Sequence, residues 1–125
     1  MDTQVSISTY LKNISTHLNI SSFPAHLAEA RGRACVGYLR AQLGPGSAGV
    51  PSTLARSGQQ WDLPNLWPPL EHLVITGLYT SGCQEAREEA RRLARARVDH
   101  CLNIFQTTGH MFEKVGTVSS FIQHK

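Results

Sequence analysis

Long apolar runs are missing from this sequence of 125 residues. Nowhere does it approach the roughly 20 consecutive apolar residues of a membrane-spanning helix, so no membrane segment is expected. Charge is also sparse: charged residues make up 17% and hydrophobic residues 41%, a balance that argues against disorder. Cysteine is scarce and odd in number, and Cys35, Cys83 and Cys101 are too far apart for a zinc spacing or a complete set of disulfides. They read as small hydrophobes. The histidines at 17, 26, 72, 100, 110 and 124 form no H-E-x-x-H or comparable pair, so no metal and no cofactor is assigned. One domain with one core is the expectation at this length.

Lys and Arg outnumber Asp and Glu by 12 to 9, but the basic residues are not clustered. Arg87, Arg91, Arg92, Arg95 and Arg97 are interleaved with Glu85, Glu88 and Glu89, the pattern of a solvated helix face. With no reading motif beside it, no nucleic-acid partner is expected. The opening MDTQVSISTYLKNISTHLNISS has none of the basic start, apolar centre and small-residue cleavage site of a secretory signal. Its sequons Asn13-Ile14-Ser15 and Asn19-Ile20-Ser21 then have no route to glycosylation. On that reading the chain stays in the cytosol.

Apolar spacing predicts four helices and no strand. Val5, Ile7, Tyr10, Leu11, Ile14 and Leu18 recur at helical intervals. A second helix is capped by Ser22, carries Pro24 in its first turn, and turns Leu27, Ala34, Cys35, Tyr38, Leu39 and Leu43 inward. The run Gly44-Pro45-Gly46-Ser47-Ala48-Gly49 ends it. A third starts at Pro69, buries Leu70, Leu73, Val74 and Leu78, and stops at Ser81-Gly82. The fourth runs from Gln84 to Gln106, with Ala86, Ala90, Leu93, Ala94, Val98, Cys101, Leu102 and Phe105 inward. Glu71, Glu85, Glu88 and Glu89 read as surface residues, with Glu88 pairing to Arg92. The fold class is all-α: two helix hairpins joined by a long structured loop between the second and third helices.

That loop, residues 50 to 69, is where the unusual residues gather. GQQWDLPNLWPP, residues 58 to 69, holds both tryptophans and half of the prolines, and none of its residues looks suited to an ordinary core. Structureless loops of this length inside a compact domain usually serve a site. Indole faces stack on the apolar faces of sugar rings, while the amides of Gln59, Gln60 and Asn65 and the carboxylate of Asp62 can bond adjacent hydroxyls. The same residue types also suit a brace, with the Trp rings wedged between helices and Asp62 and Asn65 holding the turn. Residue types alone leave the two readings open.

The string itself goes further. Gln60-Trp61-Asp62-Leu63-Pro64-Asn65-Leu66-Trp67-Pro68-Pro69 resembles the second signature of the trehalases, Q-W-D-x-P-x-[GAV]-W-[PAS]-P. One position departs, Leu66, where that family has a small residue. Gly49 to Leu54 and Arg56 to Gln59 are similar to the family's approach to the motif, Leu70 to Leu78 to the helix after it, and Met111-Phe112-Glu113-Lys114 to its M-Y-E-K-Y segment. The resemblance covers residues 34 to 114, flanked by a divergent segment at 1 to 33 and an unlike tail at 115 to 125.

The resemblance implies part of an (α/α)6 toroid, several times longer than this chain, that hydrolyses α,α-trehalose with inversion. It implies trehalose as the small-molecule partner, bound by Gln60, Trp61, Asp62, Asn65 and Trp67. The inverting reaction needs a carboxylic acid and a carboxylate roughly 6.5 to 9.5 Å apart. In the family these are an Asp after an upstream P-G-G-R-F signature and a Glu in a G-G-G-E-Y loop. Neither motif is present here, so no catalytic residue is assigned and the chain reads as a partial member, inactive alone. The alternative is a non-enzymatic helical module that binds carbohydrate or a partner. Animal relatives of full length are extracellular or membrane-anchored. Excision from a ring would expose Leu73, Leu78, Leu93 and Phe105, so self-association is expected.

Overall fold

A computed structural model describes residues 24 to 44 and 47 to 117. The helix expected over residues 5 to 18 lies outside the described residues, as does the Ser22 cap. Three helices and one short ladder are described: α1 (Ala25–Leu43), β1 (Asn65–Leu66), α2 (Pro68–Thr80), α3 (Gln84–Thr108) and β2 (Val115–Gly116). The chain is mostly helical, as expected. The ladder is an addition: β1 and β2 pair antiparallel, Asn65 opposite Gly116 and Leu66 opposite Val115.

Helix boundaries follow local chemistry. Proline occupies the first positions of α2 after an extended Trp67, where its missing N–H costs no intrahelical bond. Ser81 and Gly82 then turn the chain, and Cys83 caps α3, its sulfur accepting from the Ala86 N–H at 3.5 Å. At the far end the Gly109 N–H bonds the Phe105 carbonyl at 2.8 Å. The helices α2 and α3 thus form a hairpin, and α1 packs across α3.

The core takes Val36 and Leu39 from α1, Val50 from the loop, Val74 and Leu78 from α2, and Cys83, Ala86, Ala90 and Leu93 from α3. Burying a leucine such as Leu93 contributes about 1.5–3 kcal/mol. A smaller cluster joins Leu66, Ile104 and Val115, with Phe112 against it.

The expected inward faces need correcting. In α1 the buried residues are Gly32, Val36 and Leu39, whereas Leu27 is 39% exposed and Ala34 lies outward. In α2 Leu73 is exposed and Glu71 is buried. The inner line of α3 is Ala86, Ala90, Leu93, His100 and Ile104 with Glu89 alongside, while Val98, Leu102 and Phe105 face solvent. Helix α3 is apolar over two adjacent faces, and the described neighbours cover one of them. The covered face is the one that brings Arg97 to Glu71 and His100 to the ladder.

Glu89, expected on the surface, is buried because two arginines meet it there. Arg40 reaches across from α1 with Nη2 at 3.1 Å from Glu89 Oε2 and Nη1 at 2.9 Å from Glu85, while Arg92 holds Glu89 Oε1 at 2.6 Å. Arg92 therefore pairs with Glu89, not with Glu88, which accepts from Gln84. Burial pushes the Glu89 carboxyl up, but the hydrogen bonds from Arg92 and Arg40 outweigh it and hold the group below its ordinary 4.5. That contribution to stability is present above the ordinary value and is lost as the pH falls through the lowered one.

Candidate functional site

The segment 58 to 67 leads directly into α2 and places its two tryptophans against each other. The rings of Trp61 and Trp67 stack with centroids 4.1 Å apart and planes 26° from parallel. Trp67 is 7% exposed and Trp61 47%, so Trp67 is the buried support and Trp61 the open surface. The Trp67 indole N–H donates to the Gln60 carbonyl at 2.9 Å, which satisfies the one polar atom of a buried ring. Lys114 Nζ sits 6.0 Å from the Trp67 ring centroid, at the outer reach of a cation–π contact.

Asp62 braces the platform. Its Oδ1 accepts from Thr53 Oγ1 at 2.6 Å and its Oδ2 from Ser57 Oγ. The hydroxyls of Ser57 and Thr53 favour the ionised form and draw the Asp62 carboxyl below its ordinary 3.8. Both carboxylate oxygens are therefore engaged inside the loop. The Leu63 N–H bonds the Ala55 carbonyl at 2.9 Å and the Asn65 N–H bonds the Asp62 carbonyl at 3.0 Å, closing the turn around this carboxylate.

The β1–β2 ladder ties the loop to the end of α3. Asn65, Leu66 and Trp67 are buried, against the expectation that the stretch holds nothing suited to a core: Leu66 packs on Ile104 and Val115. The Thr117 N–H donates to the Pro64 carbonyl at 2.8 Å. Buried His100 stands 2.8 Å from the Gly116 carbonyl. A carbonyl only accepts, so the imidazole donates from Nε2.

On the other side, α2 holds the approach to the motif. Glu71 Oε1 accepts from the Val50 N–H at 3.0 Å, and Glu71 Oε2 lies 3.0 Å from Arg97 Nη1. The Arg97 N–H groups do not point along that approach, so charge joins the two side chains rather than a directed hydrogen bond. A Cβ on Gly49 would fall 1.9 Å from Glu71 Oε1, so only glycine lets the loop come this close. Burial pushes the Glu71 carboxyl above its ordinary 4.5, opposed by Arg97 and the Val50 N–H.

Of the residues expected in the site, Gln60, Trp61, Asp62, Asn65 and Trp67 are brought into one loop, but in different roles. Trp61 is exposed, Gln60 supplies a carbonyl, Asp62 accepts hydrogen bonds from Thr53 and Ser57, and Asn65 lies in the ladder. Thr53, Ser57, Lys114, His100, Glu71 and Arg97 were not foreseen. Hydroxyls flanking an Asp across a turn are a recognisable signal for the first two. Glu71 lies three residues before Val74 and seven before Leu78, on the buried line of α2.

The family model for trehalase matches residues 17–123. The chain is 47% identical over 66 residues to a trehalase of Tenebrio molitor, 44% identical over 72 residues to a probable trehalase of Oryza sativa, and 35% identical over 100 residues to a trehalase of Pimpla hypochondriaca. These matches cover 53%, 58% and 78% of this chain and 12%, 13% and 17% of those proteins. The chain thus spans a small part of their length.

Proposed function

Since this chain belongs to the trehalase family, we propose that its loop 58 to 67 forms one wall of a trehalose-binding pocket. The carrying observation is the Trp61–Trp67 stack. One indole face of Trp61 is backed by Trp67, so its 47% exposure lies at the other face and the edges, a flat apolar surface sized for a glucosyl ring. Gln59 and Gln60 stand exposed beside it with amides that suit sugar hydroxyls. Asp62 keeps the platform rigid, since Thr53 and Ser57 occupy both its oxygens. The hydrolytic step needs an acid at the bridging oxygen and a base opposite, and we assign neither role to a carboxylate of this chain.

Calorimetric titration with trehalose tests this reading. Binding by the 125-residue chain, weakened about tenfold or more by Trp61→Ala, is the expected result. A titration showing no heat of binding, or equal affinity in the variant, would remove the platform. The chain alone is expected to release no glucose from trehalose, and measurable release would show that its own carboxylates supply the acid and base.

We also propose self-association. Leu73, Val98, Leu102 and Phe105 are exposed, and the last three recur at i, i+4 and i+7 along α3, a continuous apolar stripe. Leu78 and Leu93, expected to be exposed as well, are buried and take no part. In sedimentation velocity the mass should rise with concentration and return to that of one chain in Leu102→Glu/Phe105→Glu. A single chain at every concentration would rule it out.

A further inference from the structure

We propose that Glu71 is a positioning residue for the tryptophan platform, acting through the Val50 backbone and Thr53; the inference rests on the sugar-platform reading only for its consequence in binding. The Glu71 carboxylate is almost completely buried, yet it belongs to no helix cap and lies outside the loop that carries Trp61. One oxygen takes the Val50 N–H; the other faces Arg97 of α3. Val50, Pro51 and Ser52 are buried in turn, so the packed backbone leads straight on to Thr53. Thr53 Oγ1 holds Asp62 at 2.6 Å, next to Trp61. Gly49 is the companion requirement, because any side chain there would occupy the space of Glu71 Oε1. A buried acceptor on α2 thereby sets where a loop residue 12 positions upstream of Asp62 begins its path, and the orientation of the open indole follows. A hydrogen bond of this kind matters because the loop has no helix or long strand of its own to define its position.

Two double variants separate this role from general stability. Glu71→Gln/Arg97→Met and Glu71→Met/Arg97→Met both remove the buried charges, and they differ in whether an acceptor for the Val50 N–H remains. The chain has two tryptophans, both in the platform, so near-ultraviolet tryptophan dichroism reports this loop alone. The glutamine variant should keep the parent dichroism and trehalose affinity. The methionine variant, at a temperature where its helical signal is intact, should lose most of the dichroism and bind trehalose at least about tenfold more weakly. Parent-like dichroism in the methionine variant, or equal loss in both, would overturn the proposal. If the dichroism divides the variants as expected while the parent binds no trehalose, the positioning role stands and the sugar reading falls.

Discussion

Arg97→Met is expected to lower the stability of the chain by about 3–5 kcal/mol near neutral pH, the usual cost of leaving a buried charge without its partner. Glu71 is enclosed by Val50, Gly49 and the α2–α3 packing, and Arg97 Nη1 is its counter-charge at 3.0 Å. Remove the guanidinium and the carboxylate must either stay ionised in a poor medium or take up a proton. Burial already pushes the folded Glu71 carboxyl above 4.5, so between 4.5 and the raised value the native state holds more protons than the unfolded chain. Stability from this group therefore falls as the pH climbs through that window. Loss of Arg97 removes an opposing attraction and raises the folded value further. The deficit of the variant should accordingly shrink as the pH is lowered toward 4.5, where the carboxyl is neutral. Urea denaturation near pH 7 and pH 5 checks both the size and the sign. Glu71→Gln/Arg97→Met should recover most of the loss, since exchanging both buried charges for neutral groups is often close to neutral. A pH-independent deficit, or one below about 1 kcal/mol, would mean the pair is hydrated in solution and contributes little.

The second large effect concerns a residue whose replacement would ordinarily help. Glycine inside a helix is about 1 kcal/mol worse than alanine, so Gly32→Ala in α1 would be expected to stabilise. The packing reverses the sign. A Cβ at position 32 would stand 2.2 Å from the Cβ of Cys83 and 2.7 Å from its sulfur, and Cys83 is fully buried at the start of α3. Neither neighbour is the tip of a long side chain that could swing away, so the two helices must separate. Overpacking of this kind costs about 1–3 kcal/mol, and it would also strain the link from Arg40 to Glu85 and Glu89. The expected result is a lower melting temperature for Gly32→Ala, with partial recovery in Gly32→Ala/Cys83→Gly. A melting temperature at or above that of the parent would show that α1 and α3 do not approach this closely. By contrast Gly37→Ala, in the same helix with nothing within 4 Å, should be neutral or stabilising.

The breaks between the described helices were legible in the residues because their causes are local. Pro68 and Pro69 open α2, Ser81-Gly82 and Gly109 end helices, and each does so through its own backbone chemistry. The tryptophan loop was legible for the same reason, since a segment so rich in Trp, Pro and amide side chains has no periodic use. Rotational phase was harder to read. Along α3 two apolar lines run side by side, one through Leu93 and Ile104 and one through Val98, Leu102 and Phe105, and hydrophobic spacing does not say which line the rest of the chain will cover. Charge misled in the same way. Glu71 and Glu89 read as surface residues because a lone carboxylate belongs in water, and only a view of Arg97, Arg40 and Arg92 arriving from other positions shows why they are inside.

What the sequence determined by itself is the all-α class, a break after Leu43, and a loop whose string places it with the trehalases. What the tertiary structure decided is which residues of that loop are free. Trp61 keeps one side open while Trp67 is buried beneath it, and both carboxylate oxygens of Asp62 are taken up by Thr53 and Ser57 from earlier in the chain. The division has a physical reason. Backbone preferences act over a few neighbouring residues, whereas burial, ion pairing and hydrogen bonding at a site depend on groups that meet only when distant segments pack.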